Sequence, residues 1–152
     1  QILAGKALGC FLMNMLMLAM LLGIGIVALG IRPTSALALV AIVLSAAVAF
    51  VGIMMLLSVC GKTEASVNGF GWAAMMVLAM IGGAMMPLIF MPDWMKTVGA
   101  ISPIRWAVEG LEGAIWRGYS PAEMAVPCAV LLSIGLAGFL VGWRVFDWKG
   151  SE

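Results

Sequence analysis

From Ala7 to Ile31 the chain carries no charged side chain, and Asn14 is the one amide among those residues. Crossing about 30 Å of hydrocarbon takes roughly 20 apolar residues in a helix, because only a closed internal hydrogen-bond ladder satisfies the backbone in lipid. The run is long enough for that, and it predicts a first span over about 7–30. Arg32-Pro33-Thr34-Ser35 then reads as a turn, with Thr34 or Ser35 able to cap the next helix. Further charge-poor runs predict spans at about 36–57, 67–86 and 122–143.

The whole chain of 152 residues is 64% hydrophobic and 10% charged, against about 45–50% and about 25% in soluble domains. The expected class is therefore all-α: an integral membrane bundle of four transmembrane helices, in a single membrane domain over 1–152. A net charge of +1 gives no reason to expect a nucleic-acid partner. Histidine is absent, which removes the commonest general base and metal ligand. Cys10, Cys60 and Cys128 are scattered without a CxxC spacing and read as buried apolar thiols. No catalytic, cofactor or metal site is expected on this chain.

Residues 82–119 break the pattern. Pro87 and Pro92 bracket a short apolar piece, each removing a backbone donor and disfavouring helix just before it. Asp93 stands where a helix cap belongs, and Ser102-Pro103 repeats the arrangement of a cap residue followed by proline in the first turn. The expectation is a broken or re-entrant pair of short helices at about 93–117 that stays near one membrane surface. Its second part is amphipathic, with Ile104, Val108, Leu111 and Ile115 as the apolar face and Arg105, Glu109 and Glu112 as the polar one; Arg105 can pair with Glu109. Two readings stand for it: a helix lying in the headgroup plane, or a lid over the exit of a translocation path. Ser120-Pro121-Ala122-Glu123 is a capping box that opens the last span, and Pro127 loosens its first turns.

Trp94, Trp106, Trp116 and Tyr119 gather in the broken segment, while Trp143 and Trp148 gather near the end of the chain, as two interfacial belts. Basic residues divide between Lys6, Lys62, Arg144 and Lys149 on one side and Arg32, Lys96, Arg105 and Arg117 on the other. The second group belongs mostly to the broken segment, so the positive-inside rule places both ends in the cytoplasm.

Beyond the capping Glu123, no span carries an Asp, Glu, Lys or Arg. Ion-driven carriers use such groups as relays, so energy for any transport has to come from outside the chain. A Gly-rich phosphate loop is also absent, so ATP is not bound here by that route. Small residues make a face on the second span (Ala41, Ser45, Ala49, Gly52) and on the last (Gly135, Gly138, Gly142). Such faces allow close helix approach, within this subunit or at a dimer or pore contact. Asn14 reads as an interhelical hydrogen bond or a substrate contact. The methionines Met13, Met17, Met20, Met75, Met76 and Met80 suit a flexible lining for varied lipophilic molecules.

A long span ending in GGAMMPLIFMPDWM, then ISPIRWAVEGLEGAIWRG and a final span, resembles the permease subunit of type-2 ATP-binding-cassette exporters. The matching positions are Pro87, Pro92, Asp93, Trp94, Ser102, Pro103 and Trp106. The resemblance spans the chain but only the C-terminal four of the family's six spans, so two spans are expected upstream of Gln1. It implies a permease that pairs with a second permease half, as homo- or heterodimer, and with a cytoplasmic ATPase that holds the ATP and Mg. It further implies a plasma (inner) membrane location, with Lys62 and Glu64 facing the ATPase. Pro87, Pro92, Asp93, Trp94, Ser102, Pro103, Arg105, Glu109 and Glu112 would form the external gate. Drug, lipid, polysaccharide and ion cargo all remain open under it. A non-transporting membrane scaffold shares the bulk features and is the alternative; a co-purifying ATPase discriminates between them.

Overall fold

A computed structural model describes residues 2–28, 30–60, 64–86 and 90–149, and among them every regular element is helical. In chain order these are α1 (Ile2–Ala28), α2 (Ala36–Cys60), α3 (Glu64–Ile81), α4 (Asp93–Gly99), α5 (Pro103–Glu112) with a π turn at Gly113–Arg117, and α6 (Pro121–Lys149). Segments of α1, α2 and α6 are long and apolar enough to cross a membrane. The 18 residues of α3 rise only about 27 Å, and its apolar part begins at Val67.

The centre is the contact between α2 and α6, where the two small-residue faces meet each other. A Cβ on Gly135 would lie 2.6 Å from the Val48 carbonyl oxygen, and one on Gly138 would lie 2.6 Å from that of Gly52. Gly142 faces Met55. As α2 advances from Val48 to Met55, α6 advances from Gly135 to Gly142, so the helices run parallel with both N-termini at one end. Without side chains between them the backbones gain dispersion contact, which is what drives helix association in lipid. Ile42 and Leu131 are fully buried beside this seam, with Ala46, Ala49, Ala107, Ala114 and Met124 completing the core. Ser45 is buried in it and donates to the Ala41 carbonyl of its own helix at 2.8 Å.

By contrast α1 leans mainly on α2 and leaves Leu12, Leu16, Met20 and Leu21 exposed, as a lipid-facing helix does. It ends near Gly30, whose φ of 65° turns the chain while the Ile31 amide donates back to Gly25 at 3.3 Å. Ser35, rather than Thr34, caps α2, accepting from the Ala38 amide at 3.3 Å. The capping box at α6 forms as the sequence predicts. The Ser120 amide donates to Glu123 Oε2 at 2.8 Å, and the Glu123 amide donates to Ser120 Oγ at 3.4 Å.

The third helix departs from expectation. It stops at Ile81, not at Met86, because Gly82 and Gly83 let the backbone turn before any proline is reached. Gly83 has φ 85°, a conformation that costs a side-chain-bearing residue, and the Gly82 amide donates to the Leu78 carbonyl at 2.8 Å. The broken segment is the expected pair of short helices, α4 and α5, with a π turn added after the second.

Candidate functional site

Of the residues expected at the gate, Ser102 and Arg105 meet the end of α3. Ser102 is fully buried at the N-cap position of α5, yet its hydroxyl makes no cap bond. It donates instead to the Leu78 carbonyl of α3 at 2.8 Å, across twenty-four positions of sequence. A C-terminal helix carbonyl in an apolar setting needs a donor, and Leu78 receives two, from Gly82 and from Ser102. The fit is close: a Cβ on Gly82 would lie 2.8 Å from Ser102 Oγ, and one on Gly99 would strike the Ile81 carbonyl. Only glycine permits α3, α4 and α5 to meet in this way.

The end of α4 is held by α5 as well. Arg105 Nη1 donates to the Lys96 carbonyl, and Trp106 Nε1 donates to the Ala100 carbonyl at 2.8 Å. Arg105 is oriented from behind by Glu109, with Nε 3.8 Å from Oε2, so the expected pair forms. Side chains at the start of α5 thus complete the backbone of the two helices before it. A guanidinium and an indole suit this, since both are donors only.

Asp93 differs from expectation. Pro92 occupies the N-cap position and Asp93 is the first helical residue, without a cap bond. Its carboxylate is almost fully exposed and pairs with Lys96 at 3.2 Å. Pro92 and Trp94 are exposed beside it, and Pro103 is buried in the first turn of α5. The most deeply buried face of α5 adjoins the apolar one. Pro103, Ala107 and Gly110 are buried, continued by Gly113 and Ala114 in the π turn, while Ile104, Val108, Leu111 and Ile115 are only partly covered. Small residues win that face because Ile42 of α2 and Pro127 of α6 press against Gly110, where a Cβ would strike Ile42.

The π turn has no counterpart in the sequence reading. Its wider register brings Arg117 onto Glu112, with Nη2 2.7 Å from Oε2. The Tyr119 hydroxyl, 3.5 Å from Nη1, and the Glu112 carboxylate raise the pKa of Arg117 above its ordinary value. Gly118, at φ 65°, closes the turn while the Tyr119 amide donates to Gly113 at 3.0 Å. The carbonyls this leaves free are used by the loop before α2. Thr34 and Ser35 amides donate to Ala114 at 3.0 and 3.4 Å, and Thr34 Oγ1 donates to the Ile115 carbonyl at 2.9 Å. The α1–α2 loop is thereby clasped to the broken segment. Thr34→Val, which keeps the shape and removes the hydroxyl, is expected to lower stability by about 1 kcal/mol. Faster amide exchange confined to residues 34–35 and 113–119 is the readout.

Lys62 and Pro87 lie outside the described residues, and Glu64 opens α3. Glu64 is at the opposite end of α3 from Leu78, which bonds Ser102. Asn14 is remote from both, half-buried in a groove between α1 and α2.

Residues 1–116 match the family model described as ABC-2 type transporter. The chain belongs to the ABC-2 type transporter family. The match runs from α1 into the π turn, so it includes the whole of the Ser102 junction. No curated protein and no solved structure matches the chain. Family membership and the apolar helices make it an integral membrane transporter permease, and permease domains of this family are generally non-catalytic membrane components.

Proposed function

We propose that this permease is the path-forming half of an exporter driven by a cytoplasmic ATPase, with residues 82–119 as its outer gate. The ATPase, carrying ATP and Mg, docks at the end that holds Lys62 and Glu64, and a second permease half completes the path in the plasma membrane. Both ends of the chain are then cytoplasmic. The observation that carries this reading is the hydroxyl bond from Ser102 to Leu78. It makes α3 and α5 move together, so a displacement begun at the α2–α3 connection reaches the opposite surface through one helix. Rigid elements with two discrete arrangements are the physical means of such coupling. The lack of Asp, Glu, Lys and Arg along the spans beyond the capping Glu123 supports an outside energy source, since such groups serve as proton relays.

Inside-out vesicles bearing the complete transporter and its ATPase test the proposal. ATP-dependent uptake is expected, and the Glu109→Lys variant is expected to lower it roughly tenfold through loss of the Arg105 support. The ATPase should still co-purify with that variant. Lost co-purification would place Glu109 at the cytoplasmic end and reverse the sidedness, and no ATP-dependent uptake by the parent would favour a scaffold.

A further inference from the structure

The helical run that begins with α5 is closed from outside. Gly118 stands in the left-handed conformation at its end, with φ 65°. A helix that stops on such a glycine ordinarily takes two bonds of its own, from the glycine amide to the carbonyl three back and from the next amide to the carbonyl five back. Those carbonyls are Ile115 and Ala114. The Gly118 and Tyr119 amides both donate to Gly113 instead, the second at 3.0 Å. Ala114 accepts from the Thr34 and Ser35 amides and Ile115 from the Thr34 hydroxyl. The α1–α2 loop thus occupies the two acceptors on which the helix would close by itself.

Two side-chain contacts belong to the wider register. Glu112 and Arg117 pair at 2.7 Å although they are five residues apart, whereas an α-helix brings together residues three and four apart. The Tyr119 ring lies on Gly113, where a Cβ would strike it. Tightening by one residue turns Trp116 and Arg117 by about 100°, the angle of one residue in an α-helix. That parts Arg117 from Glu112 and carries Tyr119 off Gly113. The Gly118 and Tyr119 amides have acceptors in either register. Thr34 is exposed, so water replaces the bonds that the loop gives up, and the two arrangements differ by little in net hydrogen bonding.

We propose that residues 113–119 are a two-register switch: a π turn while the α1–α2 loop is clasped to Ala114 and Ile115, and a closed α-helical end once the loop leaves. Release of the loop and rotation of Trp116 and Arg117 are then one event, which ties α1 to the broken segment. Its part in gating rests on the permease reading, whereas the change of register needs no ATP, so ATP-dependent uptake and the amide rates below fail separately.

The test uses the complete transporter in phosphatidylcholine nanodiscs without nucleotide, followed by amide exchange and by solid-state NMR with nitrogen-15 at Tyr119 and carbon-13 at the carbonyls of residues 113 and 114. Gly113→Ala sets a methyl against the Tyr119 ring and so blocks the clasped register. Exchange at Thr34 and Ser35 is expected to accelerate at least about tenfold, the ratio given by about 1.4 kcal/mol, while Gly118 and Tyr119 keep the parent rates. The Tyr119 nitrogen should pass from the carbonyl of residue 113 to that of Ala114. Thr34→Val loosens the clasp without blocking it, so there both sides of the contact exchange. Glu112→Gln keeps the shape, removes the charge that holds Arg117, and should give about threefold acceleration at Thr34 and Ser35 with Gly118 and Tyr119 unchanged. It decides alone if Gly113→Ala does not assemble. Acceleration at Gly118 and Tyr119 as well would overturn the proposal, because the turn would then fray rather than change register. Parent-like rates at Thr34 and Ser35 in both variants, with the Tyr119 nitrogen still on residue 113, would overturn it equally.

Discussion

Gly135→Leu is expected to unfold the bundle in mild detergent, with a loss of about 3 kcal/mol or more. The reason is geometric. A Cβ at this position would meet the Val48 carbonyl oxygen at 2.6 Å, its carbon at 2.7 Å and the Ala49 amide nitrogen at 2.9 Å, all of them backbone. A flexible side chain could step aside, but a helix axis must move, and moving α6 opens the seam along Gly52, Gly138 and Gly142 as well. The appropriate control is Gly23→Ala on α1, where a Cβ meets nothing within 4 Å. There the change should be neutral or stabilise by up to about 1 kcal/mol through helix propensity. Thermal melts of the two variants beside the parent check the pair. A parent-like melt for Gly135→Leu would mean that the close α2–α6 approach does not hold the fold.

That seam was half legible in the sequence. The spacing of Ala41, Ser45, Ala49 and Gly52, and of Gly135, Gly138 and Gly142, marks two faces built for close approach, but one-dimensional periodicity cannot say which face meets which. The capping box at Ser120 and the Arg105–Glu109 pair were readable because they are local, with every partner within one helical turn. What escaped was set over distance. Proline looked like the terminator of α3, whereas Gly82 and Gly83 act first, since a backbone that can turn freely need not wait for one that is forced to. Asp93 had the chemistry of a cap but not the place, because Pro92 supplies the extended residue before α4. The π turn left no signal at all: Gly113 and Gly118 are ordinary helix-end residues until Tyr119 packs on Gly113 and Thr34 claims the carbonyls. Ser102 stands at the N-cap position that its place before Pro103 marks, but its hydroxyl bonds Leu78 on another helix, which no local pattern shows.

Ser102→Val is expected to separate α3 from α5 without unfolding the rest, and it is the sharper test of the gate. The hydroxyl is fully buried, and its loss removes one of two donors on the Leu78 carbonyl while adding a methyl beside Gly82, where 2.8 Å separates Ser102 Oγ from a would-be Cβ. A missing partner for a buried polar group costs about 1–3 kcal/mol, and the added methyl raises that. The remaining donor is the Gly82 amide, so the last turn of α3 should fray there first. Amide exchange at residues 81–84 should accelerate at least about tenfold, the factor that about 1.4 kcal/mol gives, while α2 and α6 keep the protection of the parent. Ser102→Ala separates the two causes, because it deletes the bond and adds no bulk. If both variants fray α3 and both slow transport, the bond itself couples the helices. If only valine does, the junction works by shape, and glycine at 82 and 99 matters more than the hydroxyl. Parent-like exchange in both would remove Ser102 from the gate and leave Arg105 and Trp106, which hold the end of α4 rather than α3, to tie the broken segment's own parts together.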